Sequence, residues 1–115
     1  MTTSSPAELV GRYLQRVVNA RDLGGVDELV SPEFRGSGYG WPADIEALRS
    51  FYAEQASARP DWHITVEETV EVGEWVAVRA TAGVRDAPTS VEWLAVFRVV
   101  DARLLETRIV SLLQR

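Results

Sequence analysis

The chain has 115 residues, 46% hydrophobic and 25% charged, with a net charge of −5. That length suits one domain spanning 1–115, and the balance is globular rather than disordered. Cysteine is absent, which excludes a disulfide framework or thiol site, and no basic cluster marks a nucleic-acid surface. Met1 to Ser5 shows no basic region followed by an apolar run, and no apolar stretch is long enough to cross a membrane. The cytoplasm is the expected compartment.

The first helix is announced by Ser5-Pro6-Ala7-Glu8, a capping box with proline at the first helical position. Val10, Tyr13, Leu14, Val17 and Val18 then recur at helical spacing, and the pattern fades at Asn19 to Asp22. A short second helix is expected over Gly25 to Val30, with Pro32 just beyond it. Glu33 to Gly38 reads as extended, and the alternating Gly36, Gly38 and Gly40 predict a bulge, a bend or a close backbone approach. Trp41-Pro42 opens the third helix, Ile45, Leu48, Phe51 and Tyr52 form its apolar stripe, and Arg59-Pro60 stops it.

The rest reads as strand: Trp62 to Val72, a turn at Gly73-Glu74, Trp75 to Val84, a loop at Arg85 to Pro88, Val91 to Val100, a turn at Asp101-Ala102, and Arg103 to Leu113. Such short connections imply antiparallel pairing, so the fold class is α+β, with helices first and a curved antiparallel sheet after them. Along Trp75 to Thr81, one face carries Trp75, Ala77, Arg79 and Thr81 and the other Val76, Val78 and Ala80. Along Val91 to Val99, one face carries Val91, Trp93, Ala95, Phe97 and Val99 and the other Leu94 and Val96. A sheet apolar on both faces is covered on both. Three helices cover one, and a second copy of the chain is the simplest cover for the other, so a homodimer through the outer sheet face is expected.

The capped helix with Tyr13, the segment Asp22-Leu23-Gly24-Gly25-Val26-Asp27-Glu28-Leu29 and the stretch Ile45 to Tyr52 resemble the first half of the nuclear-transport-factor-2-like cone fold. Arg59 to Glu67, Glu74 to Thr81 and Val96 to Glu106 are similar to the strands of its SnoaL-like members. The resemblance implies a cystatin-like cone: three helices in the concave face of the sheet around one pocket, lined by Trp41, Tyr52, Trp75, Thr81, Trp93, Ala95, Phe97 and Ile109. The superfamily includes polyketide cyclases, ketosteroid isomerases, limonene-epoxide hydrolases and non-catalytic binding modules. Tyr13 matches the isomerase tyrosine that donates to a developing oxyanion. The isomerase base falls near Gly38 and its second acid at Ala95. Arg79 matches the epoxide-hydrolase arginine, but the flanking aspartates fall at Thr81 and about Ile109. The histidine region of the cyclases reads Gly83-Val84-Arg85-Asp86.

Each candidate has a plainer role beside the functional one. Tyr13 is either a core aromatic or a donor to a ligand carbonyl. Arg79 is either an ion pair at the pocket edge, with Glu67 or Glu68 as partner, or a group awaiting a ligand oxygen. His63, the single histidine, is either a rim residue or a proton carrier. Trp41, in the glycine-rich connection, is placed to cover a pocket mouth. Glu67-Glu68 reads as a solvated edge. Neither a metal site nor a cofactor is implied, given one histidine and no carboxylate cluster at ligand spacing. Two functions stay open: a cyclase or isomerase that stabilises the enolate of an apolar oxygenated metabolite such as a polyketide, through Tyr13, Arg79 and His63, and a non-catalytic dimeric ligand-binding or scaffolding module.

Overall fold

The structure, a computed structural model, describes residues 5–59, 61–84 and 90–114. The Arg85 to Pro88 loop and the Pro60 helix stop lie outside them. Ser5 caps α1 (Pro6–Tyr13) as expected: its Oγ accepts from the Glu8 amide at 3.2 Å, and Glu8 Oε1 accepts from the Ser5 amide at 3.3 Å. The Ala7 amide, left free by helical bonding, donates to Glu71 Oε1 at 2.7 Å, which seats the start of α1 over the far end of the sheet.

The helix then widens into a π-helical turn, Leu14–Asn19, where the Ala20 amide reaches back to the Gln15 carbonyl at 2.8 Å. It ends with Arg21 in the left-handed region at φ 58°. The Arg16 guanidinium bonds to Asp22 at 2.7 Å and to Glu28 at 2.6 Å, joining this ending to α2 (Gly24–Leu29). Those hydrogen bonds hold both carboxyls below their usual pKa range.

The second helix closes a residue earlier than expected, and β1 (Val30–Ser37) takes over with Pro32 inside it. Proline is tolerated because β1 is an edge strand whose pairing with β5 is made at Val30 and again at Arg35 to Ser37, on either side of Pro32. The third helix, α3 (Ile45–Ala58), starts three residues later than the Trp41-Pro42 signal suggests. The Trp41 amide turns back to the Gly38 carbonyl at 3.0 Å, and Asp44 provides the cap by accepting from the Ala47 amide at 2.9 Å.

The four long strands lie where the alternation puts them: β2 (Trp62–Val72), β3 (Trp75–Val84), β4 (Val91–Val100) and β5 (Arg103–Gln114). They form an antiparallel meander, and β1 adds in parallel beside β5, so the sheet is mixed, in the order β1-β5-β4-β3-β2. Single extra residues at Glu67, Leu105 and Val110 interrupt the register. Bulges bend the strand that carries them, which curves the sheet around the helices.

Inward from β3 point Val76, Val78, Ala80 and Ala82; inward from β4 and β5 point Ala95, Phe97, Val99, Leu104 and Ile109, all buried against Leu9, Val10, Tyr13 and Val17. Small residues on β3 let α1 approach closely. The opposite face keeps Val72 70%, Leu113 58%, Val110 46% and Trp75 41% exposed. Among the described residues, no helix is long and apolar enough to cross a membrane.

Candidate functional site

A cavity of about 320 Å³ lies between the helices and the sheet. Tyr13, Leu14 and Val17 line it from the first helix, Phe51, Tyr52 and Gln55 from α3, and Trp62, Trp93, Phe97 and Ile109 from the strands. Trp41 closes one wall. Its connection is shaped by two close approaches: a Cβ on Gly36 would meet the Pro42 carbonyl at 2.0 Å, and one on Gly38, at φ 90°, would meet the Ile109 carbonyl at 2.2 Å. The glycines therefore press this segment against both its own return and β5. Trp41 comes to rest with its ring centroid 5.0 Å from Phe51 and 6.4 Å from Tyr52.

The polar centre is a pair of phenols. The Tyr13 and Tyr52 hydroxyls are 2.6 Å apart and buried, and the rings meet edge to face. Burial pushes both pKa values up; the neighbouring Tyr52 raises Tyr13 further, while the bond from Tyr13 partly offsets the effect of burial on Tyr52. Both are neutral donors at any physiological pH. Two hydroxyls carry two protons, and their mutual bond uses one, so the second is free for an acceptor in the cavity. Two further lining groups are buried without a partner among the described residues, the Trp41 indole N–H and the Gln55 amide oxygen.

The structure brings Tyr13, Trp41, Tyr52, Trp93, Phe97 and Ile109 together around the cavity. Ala95 points inward but is packed into the core instead of lining it. The cavity positions expected for Arg79, Trp75, Thr81 and His63 are corrected, while the Glu68 partner expected for Arg79 is found. Arg79, Trp75 and Thr81 lie on the opposite face of β3, because the Val76 set packs against the helices. Arg79 bonds to Glu68 at 3.2 Å with 44% of its side chain exposed, an ion pair of about 0–1 kcal/mol. Trp75 stacks with Arg98, and the Thr81 hydroxyl donates to Glu67 at 3.1 Å. His63 is exposed and pairs in register with Gly83 on that outer face, away from the cavity. The bulge at Glu67 places the adjacent Glu67 and Glu68 on one side, where strict alternation separates them.

Gln55, Arg59 and Arg21 are lining residues that the sequence reading missed. A signal existed for two of them: Tyr52, Gln55, Ala56 and Arg59 follow the i, i+3, i+4, i+7 rule of one helical face. Arg21 had none, since a left-handed turn after a widened helix leaves no periodic trace. Among the described residues no three metal-ligating side chains come together.

A model of the SnoaL-like domain matches residues 10–107. Among solved structures, IdmH from Streptomyces antibioticus, a candidate polyketide cyclase, is 23% identical, with a TM-score of 0.77 over 93% of this chain and 91% of that one. A candidate SnoaL-like polyketide cyclase from Jannaschia sp. CCS1 is 22% identical, with a TM-score of 0.75 over 96% and 90%. A cystatin-fold protein from Novosphingobium aromaticivorans is 17% identical, with a TM-score of 0.81 over 94% and 99%. At these identities the likeness is one of fold. No curated protein matches the chain.

Proposed function

Because the chain belongs to the SnoaL-like domain family, we propose that its cavity binds a flat, mainly apolar metabolite and donates a hydrogen bond from the Tyr13–Tyr52 pair to a carbonyl oxygen on it. The observation that carries this is the spare hydroxyl proton of a buried phenol pair facing an aromatic-lined space. Pockets of this kind take apolar bodies and orient them by a few polar groups. The Trp41 N–H adds a second donor and the Gln55 oxygen an acceptor. Calorimetry with 2-acetylnaphthalene and its carbonyl-free counterpart 2-ethylnaphthalene tests the reading. The ketone should bind several-fold tighter, and the Tyr13→Phe/Tyr52→Phe double variant should erase the difference. Equal binding of the two compounds to the unaltered protein rejects it.

The same phenols favour a cyclase or isomerase reading, since neutral donors aimed at a carbonyl stabilise the enolate that such reactions pass through. The described cavity lining holds no carboxylate or histidine to take the α-proton, so the binding reading comes first. Deuterium exchange at the methyl group of 2-acetylnaphthalene, followed by NMR, separates them: exchange above the buffer rate supports catalysis, and exchange at the buffer rate supports binding alone.

The outer sheet face is proposed as a homodimer interface. Val70, Val72, Trp75, Leu94, Val110 and Leu113 are exposed there across four strands of ten residues or more. At ordinary strand spacing and rise, such a face covers roughly 600 Å² in plan, comparable to one side of a standard-size interface, about 800 Å² of accessible surface.

A further inference from the structure

We infer that the ligand is an amphipathic organic anion, whose carboxylate sits between Arg21 and Arg59 while its apolar body fills the cavity. The inference rests on the reading of the cavity as a ligand site and names the chemical class that fits it.

The ionisable side chains along the described lining, apart from the tyrosines, are Arg21 and Arg59. A chain with a net charge of −5 thus presents an apolar cavity whose described lining carries charge of positive sign only. Neither arginine has a carboxylate partner among the described residues. The Arg21 guanidinium is held by backbone carbonyls: Nη1 donates to Asn19 O at 2.7 Å, and Nη2 donates to Arg59 O at 3.3 Å and to Trp62 O. Carbonyl dipoles orient the group without neutralising it, and Nε and one Nη1 hydrogen stay available.

Arg59 lies over the Trp62 ring, its Cζ 5.5 Å from the centroid, and the Trp62 amide donates to the Arg59 carbonyl at 3.1 Å. The turn from Arg59 to Trp62 therefore carries one guanidinium and anchors the other. Two like charges gathered at one turn, neither of them ion-paired among the described residues and with the exposed Asp61 as the one acid in that turn, suit an incoming anion. A planar guanidinium also matches a carboxylate in a two-point fork. The backbone supports the same point. Arg21 sits at φ 58°, a conformation that costs a side-chain-bearing residue stability and that glycine adopts freely. The cost is offset by the carbonyl bonds that aim the guanidinium.

Calorimetry with 2-naphthoate and its neutral isostere 2-naphthamide decides the matter. In the unaltered protein the carboxylate should bind about tenfold tighter, as charge-assisted bonds exceed neutral ones. Arg59→Gln, which removes a charge and, among the described residues, no hydrogen bond made by that side chain, should reduce the preference at least severalfold. Arg21→Gln should do the same, with a melting curve run alongside because it also releases three carbonyls. Raising the salt concentration should narrow the preference. If the two compounds bind equally to the unaltered protein, or if the preference survives in Arg59→Gln, the anion inference is wrong while the ligand-site reading stands. If neither compound binds, both are overturned.

Discussion

Asn19 grips Ile64 through both ends of its carboxamide: Oδ1 accepts from the Ile64 amide at 2.8 Å, and Nδ2 donates to the Ile64 carbonyl at 3.0 Å. The side chain acts as a peptide unit added to the open edge of β2. It ties the end of the π-helical turn to the strand beside the cavity, so Trp62 and Arg21 are held in one frame.

Removing that clamp strands a backbone donor and acceptor at a partly buried edge. Asn19→Ala should therefore lower stability by about 2 kcal/mol, the sum of two ordinary net hydrogen bonds. Urea unfolding measures it, and faster amide exchange at Ile64 should accompany it. A loss under about 0.5 kcal/mol, within the range of an ordinary surface change, would show that the edge does not need the clamp.

The phenol pair should behave as a coupled unit. Tyr13→Phe leaves the Tyr52 hydroxyl buried without its partner, a loss of about 1–3 kcal/mol. The double change to phenylalanine removes both polar groups and should cost clearly less than the two single changes added together. A double-mutant cycle by chemical denaturation reads the coupling, and additive losses would mean the two hydroxyls do not depend on each other.

The same pair sets an alkaline limit. Burial raises both pKa values in the fold, while the unfolded chain releases these protons near the ordinary value of about 10. The native state then holds protons that the unfolded state gives up. Their contribution to stability is complete below about pH 10 and shrinks as pH rises above it. In an alkaline titration, ionisation of these two tyrosines, followed at 295 nm, should coincide with the loss of circular dichroism. Ionisation of all three tyrosines with the fold intact would contradict the burial.

Gly38 and Gly40 share a positive φ but differ in surroundings. A Cβ at Gly38 would press on the Ile109 backbone, whereas one at Gly40 meets nothing within 4 Å. Gly40→Ala should cost only the conformational penalty, about 1–2 kcal/mol. Gly38→Ala should cost more and should also displace Trp41, which reports through its fluorescence. Equal losses at the two sites would remove the close approach from the account.

For the proposed dimer, Leu113→Arg adds a charge to the outer face at a residue 58% exposed, so the monomer fold should tolerate it. Light scattering should show a dimer in the unaltered protein and a monomer in the variant, with the 2-naphthoate affinity unchanged. A monomer in the unaltered protein at tens of micromolar would leave the exposed valines and leucines without the partner proposed for them.

Much of the architecture was written in local chemistry. The capping box at Ser5 and the limits of β2, β3 and β4 follow from caps and from period-two alternation, which act over a few residues, while the inward face of β4 came from the family resemblance. Tyr13 and Tyr52 were legible as cavity residues because the family resemblance and the helical stripes pointed the same way, and Trp41 because it stands in the glycine-rich connection. Which face of β3 turns inward was a different matter. Alternation divides a strand into two sets but does not rank them, and helix α1 chose the smaller side chains, sending Arg79 outward to Glu68.

By itself, then, the order of residues determined the helices and strands, the limits of the long strands and the meander, since each depends on neighbours in the chain. Tertiary structure alone decided the parallel addition of β1, the bulge that puts Glu67 and Glu68 on one side, and the meeting of Arg21 with the turn from Arg59 to Trp62. These depend on contacts between residues far apart in the chain, where packing space and the need to satisfy backbone carbonyls settle a geometry that no local pattern encodes.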